Sequence, residues 1–197
     1  LELSLRVSYD HLDADRRRRF RALGAFAAEG AFSTAAAAAV WGDADNDTAG
    51  DAARFLAGAS LLERAEDGRW RQHALLRAYA LALLRRAGEE AAARAAHLAY
   101  YAAEYGDGER NRPEAAPGRH AQITADFDDI RHALEWGLAA APEAACDLLG
   151  ALENSYLQFA QPFAVRRLLL GAALAPARAA GYVRGEASTL QALGDLE

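Results

Sequence analysis

Histidine and cysteine are the side chains of this 197-residue sequence best suited to metal binding or nucleophilic attack, and their spacing favours neither. The histidines are His11, His73, His97, His120 and His132. No two of them are three or four residues apart, the spacing that places two side chains on one helix face. Cys146, the single cysteine, cannot complete a zinc site or a disulfide, and its apolar context ACDLLGAL is typical of a small core residue. The sequence therefore predicts no metal site and no cysteine nucleophile.

His73 is the one candidate in the sequence for contact with a nucleotide phosphate. A Walker loop needs a lysine, and all 22 basic residues are arginine, so we expect no nucleotide hydrolysis by this chain and no enzymatic activity. His73, in GRWRQHALLRAYA, stands where a polar segment gives way to a long apolar-periodic run. It is expected at a helix N-terminus, where free N–H groups and partial positive charge attract anions. Either the ring packs or caps the helix, or it contacts a phosphate; the sequence alone leaves both open.

The charge distribution argues against nucleic acid and the apolar pattern argues against a membrane. The chain has a formal charge of −6, whereas cations that neutralise phosphates drive nucleic-acid binding. Its only basic run, RRRRFR from Arg16 to Arg21, spreads around most of a helix circumference, which predicts a solvated helix face. No stretch approaches the roughly 20 apolar residues that span a bilayer, and no signal peptide opens the chain. These features favour a cytoplasmic setting.

The sequence predicts that the first half of the chain forms short helices followed by a hairpin. Leu1, Leu5 and Tyr9 have helical spacing. The expected helix-capping residues are Asp13, Ser33 and either Asp47 or Thr48. Asp67-Gly68 is typical of a two-residue hairpin turn. Helices followed by a hairpin is the order of a winged-helix domain.

Helices are predicted for the rest of the chain. A long helix should follow His73 and end at Gly88, and the next should bury one stripe of residues: Ala95, Leu98, Tyr101 and Tyr105. The segment 106–118 is rich in glycine and proline and predicts a linker. Consecutive helices beyond it suggest a solenoid, with Pro176 expected to kink or split one helix. We therefore predict domains at 1–88, 89–118 and 119–197, the last truncated within a longer natural protein.

Two segments resemble the winged-helix module of STAND-class signalling ATPases of the NB-ARC type, as found in bacteria. They are LSLRVSYDHLDADRRRRFRALGAF and SLLERAEDGRWRQHALLRAYA. In that family a Met-His-Asp motif opens the last helix of the module. Here Gln72, His73 and Ala74 occupy those positions, so only the histidine is retained.

Two further segments extend the resemblance towards the end of the chain. ADFDDIRHALEWGL is similar to the helix that follows the module in bacterial members, through Ala133, Leu134 and Trp136. ASTLQALGDLE resembles the first helix of a tetratricopeptide repeat, and the matching residues are Leu190, Leu193 and Gly194. The implied fold is mainly α: a winged-helix domain with a small β-hairpin, then an α-helical tetratricopeptide-like solenoid.

The resemblance implies a non-catalytic regulatory and sensor role in signal transduction. In family members the motif histidine contacts the β-phosphate of ADP and holds the resting state, which assigns that contact to His73. ADP or ATP with Mg²⁺ would bind a module outside this chain, and no cofactor binds the chain itself. The implied partners are that module, a protein or peptide on the helical repeats and further copies on activation. Three aromatic residues either line the partner surface or belong to the core: Tyr156, Phe159 and Phe163.

The alternative is a DNA-binding transcriptional regulator with a tetratricopeptide-like effector domain. The helix that would enter the major groove begins with Asp45, Asp47 and Asp51 and has Arg54 as its only cation. Carboxylates facing phosphates oppose binding. The hairpin likewise offsets its arginines with acidic residues, so the sequence favours a role within the protein.

Overall fold

The computed structural model describes residues 8–112 and 114–196 of the chain. The protein is mainly helical, with a small three-stranded antiparallel sheet, which confirms the predicted helical class at that level. Contacts divide the chain into two compact units, of which one ends at His97 and the other begins at Leu98. The predicted helical residues Leu1 and Leu5 lie outside the described residues.

The first unit contains short helices and the whole of the sheet. Residues 8–10 are helical, and the later elements follow in this order: α1 (Ala14–Ala22), a 3-10 turn (Leu23–Ala25), β1 (Ala31–Phe32), α2 (Thr34–Trp41), α3 (Asn46–Gly58), β2 (Glu63–Arg64), β3 (Trp70–Arg71) and α4 (Ala74–Arg86). Helix α5 (Glu90–Tyr105) contains the division between the two units.

Side-chain caps fix the starts of the first three of these helices. Asp13 accepts from the N–H of Arg16 at 2.8 Å and Ser33 from that of Ala36 at 3.1 Å, so both predicted caps are confirmed. The third predicted cap is wrong. Asp45 is the capping residue of α3 and its Oδ1 accepts from the N–H of Thr48 at 2.7 Å. Because this carboxylate comes first and already reaches the third helical N–H, the helix begins before the predicted position.

The sheet has the strand order β1-β3-β2, and both pairings are antiparallel. The predicted hairpin is present, but its turn has three residues instead of two. The N–H of Ala65 donates to the carbonyl of Arg69 at 2.9 Å, and the N–H of Gly68 to that of Ala65 at 3.0 Å. Gly68 has φ 82°, a left-handed conformation that glycine adopts without steric cost. This glycine closes a three-residue loop of the turn-plus-bulge kind.

The core of the first unit is aromatic and aliphatic. Phe26 stacks on Phe32 with ring centroids 4.2 Å apart, and both rings are buried. Trp70 is also buried, and its indole N–H donates to the hydroxyl of Thr34 at 2.9 Å. Since β3 supplies Trp70 and β1 supplies Phe32, the sheet is held to the helices by large side chains from both strands.

The second unit consists of helices and one irregular loop. After the end of α5 and the loop at 106–118, its elements are α6 (Arg119–Ala140), α7 (Pro142–Leu152), a π-helical turn (Glu153–Leu157), α8 (Gln158–Ala160), α9 (Phe163–Ala179) and α10 (Val183–Gly194). Helix α6 packs on α7, α9 packs on α10, and α7 contacts both α9 and α10.

Two predictions on the second unit are revised by the structure. Pro176 does not split its helix: α9 continues through it to Ala179. The proline lies in the last turn, where the helix loses one hydrogen bond and then ends. On α5, Leu98, Tyr101 and Tyr105 are buried as predicted, but Ala95 is exposed.

The loop at 106–118 lies within the second unit and is tied to the end of α5. The buried side chain of Asn111 donates to the carbonyl of Tyr105 at 2.7 Å. Arg119, just after the loop, pairs with Glu104 at 2.6 Å. The phenol of Tyr105 donates to the buried carboxylate of Asp126 on α6 at 2.6 Å, which joins α5 to α6 beside the loop.

Candidate functional site

His73 is exposed at the N-terminus of α4, as its sequence context predicts. Its Nδ1 accepts from the N–H of Leu75 at 3.3 Å, so the ring caps the helix. A neutral imidazole that accepts at Nδ1 carries its proton on Nε2. The ring therefore does not fill a core, and the remaining nitrogen, Nε2, would carry the N–H of this exposed ring near the N–H groups of the first turn.

The two neighbours of His73 differ in environment. Gln72 is buried and its amide donates to the carbonyl of Leu61 at 3.4 Å, while Ala74 is exposed. Gln72 thus anchors the segment that leads into α4. Ala74 presents only a methyl group, so no carboxylate stands beside the ring at this position.

Helix α4 is held firmly on the first unit. Leu76 and Leu84 are buried, and Arg77 is also buried, with its Nε donating to the carbonyl of Phe26. Beneath the helix, Gly24 approaches so closely that an added Cβ would lie 2.6 Å from the Cα of Leu81. Packing of this density fixes the position of the helix start, and with it the position of His73.

The basic run RRRRFR forms internal ion pairs, so the prediction of a solvated helix face is wrong for Arg19 and Arg21, whereas Arg18 is exposed. Arg19 is buried and pairs with Asp15 at 2.6 Å and with Asp43. Arg21 donates to both carboxylate oxygens of Glu89, at 2.8 and 2.7 Å. The guanidinium of Arg21 lowers the pKa of Glu89, against the opposing effect of partial burial.

The remaining arginines of the run are also engaged. Arg16 pairs with Asp13 at 2.7 Å and lies over the ring of Phe55 at 3.6 Å. Arg18 donates to the carbonyl of Trp41 at 2.8 Å. Arg17 donates to the carbonyl of Asp10 at 2.5 Å. These guanidinium groups make their contacts within the first unit itself, which leaves them poorly placed to bind phosphates.

Among the described residues of the elements that would face DNA, three arginines have partners within the first unit, whereas the exposed side chain of Arg71 in β3 has none. Arg54 on α3 pairs with Asp51. In the hairpin, Arg64 lies over the ring of Trp70 at 5.2 Å, and Arg69 donates from Nε to the carbonyl of Ala31 at 2.9 Å. The carboxylates at the start of α3 stay exposed.

The three aromatic residues proposed to line a partner surface differ in their exposure to solvent. Tyr156 is completely buried, and its hydroxyl lies 2.9 Å from that of Thr124, so it belongs to the core. Phe159 is 71% exposed and Phe163 is 50% exposed. They lie in different depressions: Phe159 beside His120, and Phe163 on the outer face of α9.

A polar groove of about 790 Å³ lies in the second unit, between the loop at 106–112 and helices α7 and α10. A second cavity of about 480 Å³ continues from it to Phe159 and His120. The two cavities share three lining residues: Arg112 of the loop, Asn154 on the π-helical turn and Gln158 just after it. We refer to the two together as the polar groove.

Side chains stabilise the π-helical turn that crosses the groove. The hydroxyl of Ser155 donates to the carbonyl of Ala151 at 2.6 Å. Nε2 of His120 lies 2.8 Å from the carbonyl oxygen of Ser155, which accepts from it. Such turns interrupt the regular helical bonding and often mark functional positions. The sequence predicts one unbroken helix here, because nothing local signals the inserted residue.

Metal ligands, membrane-spanning helices and the single thiol can each be assessed in the part of the chain that the structure describes. Within residues 8–112 and 114–196, no group of three His, Cys, Asp or Glu side chains could hold a metal ion. Among the same residues, none of the helices is both long and apolar enough to cross a membrane. Burial raises the pKa of the Cys146 thiol, and the nearby Asp147 adds to this effect.

Comparison of the chain with family models, curated proteins and solved structures found no match.

Proposed function

We propose that this chain is a non-catalytic regulatory segment of a STAND-type signalling ATPase, with the first unit as its winged-helix switch module. The order of α1, β1, α2, α3 and the β2–β3 hairpin, with β3 central in the sheet, supports a winged helix. The module would couple the nucleotide state of a neighbouring domain to the helical region that follows.

The exposed ring of His73 carries this proposal. Its Nε2–H is available at a helix N-terminus, where a phosphate would also meet backbone N–H groups and the positive end of the helix dipole. In a longer protein that contains a nucleotide-binding module, this donor would bond to the β-phosphate of ADP. Such a charge-assisted bond contributes about 1.5–3 kcal/mol. We call this bond between His73 and the β-phosphate the nucleotide latch. Because Ala74 replaces the family's aspartate, we expect the latch to be weaker than the family pattern implies.

DNA binding is the weaker alternative. A DNA reader needs cations on the helix or hairpin that meets the phosphates. Here Arg54, Arg64 and Arg69 all have partners within the first unit, so the exposed Arg71 is the cation that these elements leave for a phosphate among the described residues. The acidic start of α3 would oppose the approach of a duplex.

The second unit would be the sensor region, a tetratricopeptide-like array that binds a protein or peptide. Its succession of packed helices is consistent with this role. Of the three proposed aromatic contacts, the exposed Phe159 and Phe163 remain available for a partner. Release of ADP would then open the protein and permit further copies to assemble.

The test uses two substitutions of His73 in a longer protein that contains both this chain and a nucleotide-binding module. His73→Asn keeps an acceptor that can cap α4, but removes the Nε2–H. We expect ADP release, followed with a fluorescent ADP analogue, to become about 10- to 100-fold faster. The melting temperature should stay close to that of the original protein.

His73→Ala removes the cap together with the donor, so it should also accelerate ADP release and in addition lower stability by about 0.5–1 kcal/mol. His11→Asn is the matched control, since His11 is an exposed histidine of the same unit, 62 positions before His73 in the sequence. Unchanged ADP release in His73→Asn would reject the latch and leave His73 as a helix cap alone.

A further inference from the structure

We propose that the outer face of helix α9 binds an amphipathic helix of a partner protein, and that this helix carries a carboxylate opposite Arg167. This inference deepens the proposed sensor role of the second unit and rests on it. The outer face consists of the residues that line a shallow depression of about 620 Å³ along the helix: Phe163, Ala164, Arg167, Leu168, Gly171 and Ala172. All six are exposed.

The outer face is apolar as well as exposed. Leu168 is 68% exposed and Phe163 is 50% exposed, whereas the opposite side of the helix buries Leu169 and Leu170 in the second unit. A helix at a protein surface normally places charged and polar residues opposite its buried side. Among the exposed residues of α9, the arginines are the only polar ones. An apolar surface of this kind is suited to burial against another protein.

Gly171 is a second, independent indication of a close partner. It lies in the interior of α9, where glycine is less favourable than alanine because it loses more conformational freedom on folding. Among the described residues, no heavy atom outside its own stretch of helix lies within 4 Å of the Cβ that alanine would add. Packing within the chain therefore does not require glycine here. A second helix that crosses this position at close range would require it.

The arrangement of small and large residues suits a helix. At 3.6 residues per turn, Ala164 and Gly171 lie along the middle of the outer face. Phe163 and Arg167 lie along one edge, and Leu168 lies along the other. The depression is therefore a shallow channel with a floor of small residues between larger side chains. A ridge of side chains on another helix fits such a channel.

Charge distinguishes a different protein from a second copy of this chain. Arg167 is the one charged residue that lines the depression, and it forms no ion pair with any described residue. On the same helix, Arg166 pairs with Glu153. Since α9 contains no acidic residue, two outer faces packed together would bring arginines together without a carboxylate. A partner helix with Asp or Glu at the Arg167 edge would instead form an ion pair there.

The experiment selects a display library of helical peptides, of the same length as α9, on the immobilised 197-residue chain without nucleotide. The peptides have an alanine framework that is randomised along one helix face and at the positions that flank it. Enriched peptides should carry leucine, isoleucine or phenylalanine on the face and Asp or Glu on one flank. Synthetic copies are then titrated by fluorescence anisotropy. Leu168→Ala should weaken their binding about tenfold.

Reversal of the charge at Arg167 tests the ion pair. The peptides selected on the original chain should bind Arg167→Glu about 5- to 10-fold more weakly. A new selection on that variant should enrich Lys or Arg at the flank where the original chain selects Asp or Glu. A merely structural role of Arg167 would not reverse the selected charge. Arg184→Glu is the matched control, because Arg184 is an exposed arginine of the polar groove on α10, and it should leave the preference unchanged.

Gly171→Ala should have opposite effects on stability and on binding. The melting temperature of the chain should rise by about 1–4 °C, because alanine favours the helix. Peptide binding should weaken about 5- to 100-fold, because the added methyl group holds the partner helix away. Gly194→Ala is the matched control. Gly194 ends α10, its added Cβ would also have no heavy atom within 4 Å, and the substitution should leave binding unchanged.

Four results would overturn the proposal: no enrichment, binding that does not depend on Leu168 and Arg167, unchanged binding in Gly171→Ala, or a dimer in sedimentation that Leu168→Glu dissociates. The last result would show that a second copy covers the outer face. Because none of these measurements needs ADP or His73, their failure would not affect the test of the nucleotide latch. Failure of the latch would likewise leave the peptide result unchanged.

Discussion

The substitution Gly24→Ala tests the close packing that fixes helix α4, and with it the position of His73. Gly24 is buried in the 3-10 turn that follows α1, directly beneath α4. A Cβ at this position would lie 2.6 Å from both the Cα and the N of Leu81, and 3.0 Å from the carbonyl carbon of Ala80. These are backbone atoms, so no side chain can rotate to make room, and the helix or the turn must move.

The expected cost follows from that geometry. Overpacking a dense core costs about 1–3 kcal/mol when side chains can adjust. Since backbone meets backbone here, we expect about 3 kcal/mol. For a chain of this size each kcal/mol lowers the melting temperature by about 2–4 °C, so a decrease of about 6–12 °C should follow. Thermal and urea unfolding, monitored by circular dichroism, measure both quantities.

Gly58→Ala is the matched control, because it is the same chemical change in the same unit. Gly58 is the last residue of α3, and no heavy atom lies within 4 Å of the Cβ that would be added. Alanine should be neutral there or stabilise by up to about 1 kcal/mol, because it restricts the unfolded chain. If Gly24→Ala unfolded at the same temperature as Gly58→Ala, α4 could not lie as close to the turn as the structure places it.

Two further predictions concern polar pairs, of which one is partly exposed and one is buried. Glu89→Gln should destabilise the protein by about 1 kcal/mol at pH 7, a value reduced for the partial exposure of the carboxylate. Arg21 lowers the pKa of Glu89 in the folded state, so the pair stabilises above the pKa of the unfolded chain and this contribution is lost as the pH falls through the folded pKa. Urea titrations should therefore show a larger difference between variant and original protein at pH 7 than at pH 3. Tyr105→Phe should cost about 1–3 kcal/mol because it leaves the buried carboxylate of Asp126 without the phenol donor. Tyr182→Phe removes a similar but exposed bond and should cost under about 0.5 kcal/mol, so equal losses in the two tyrosine variants would contradict this account.

Local signals in the sequence were sufficient to predict several elements and the position of His73. The caps at Asp13 and Ser33, the hairpin near Gly68 and the helix start at His73 all depend on residues within a few positions of each other. The wrong cap for α3 came from a cluster of equivalent aspartates and a threonine, any of which can accept the bond. Which one does so depends on where the preceding chain becomes extended, and composition does not encode that.

Pairings between distant residues could not be predicted. Arg21 and Glu89 are 68 positions apart, and no local pattern connects them. The polar groove likewise joins a loop after α5 to α7 and α10. Which of the aromatic residues is buried could not be predicted for a related reason. The π-helical turn changes the helical phase just before Phe159, so the spacing from Tyr156 does not show which ring is buried.

The use of arginine connects these observations to function. A chain without lysine must form every internal ion pair with a guanidinium, whose planar group of donors suits bidentate and buried pairs. In the first unit most cations of the basic run, of α3 and of the hairpin make contacts within the unit, as the partners of Arg19, Arg54 and Arg69 illustrate. The exposed Arg71 of β3 is an exception. A phosphate approaching the start of α4 would then meet the imidazole N–H of His73 and backbone N–H groups, with the exposed Arg71 two residues earlier in the sequence. For the switch proposed above, this contact would have to be weak enough for ADP to be released, which a permanent nucleotide site would not need.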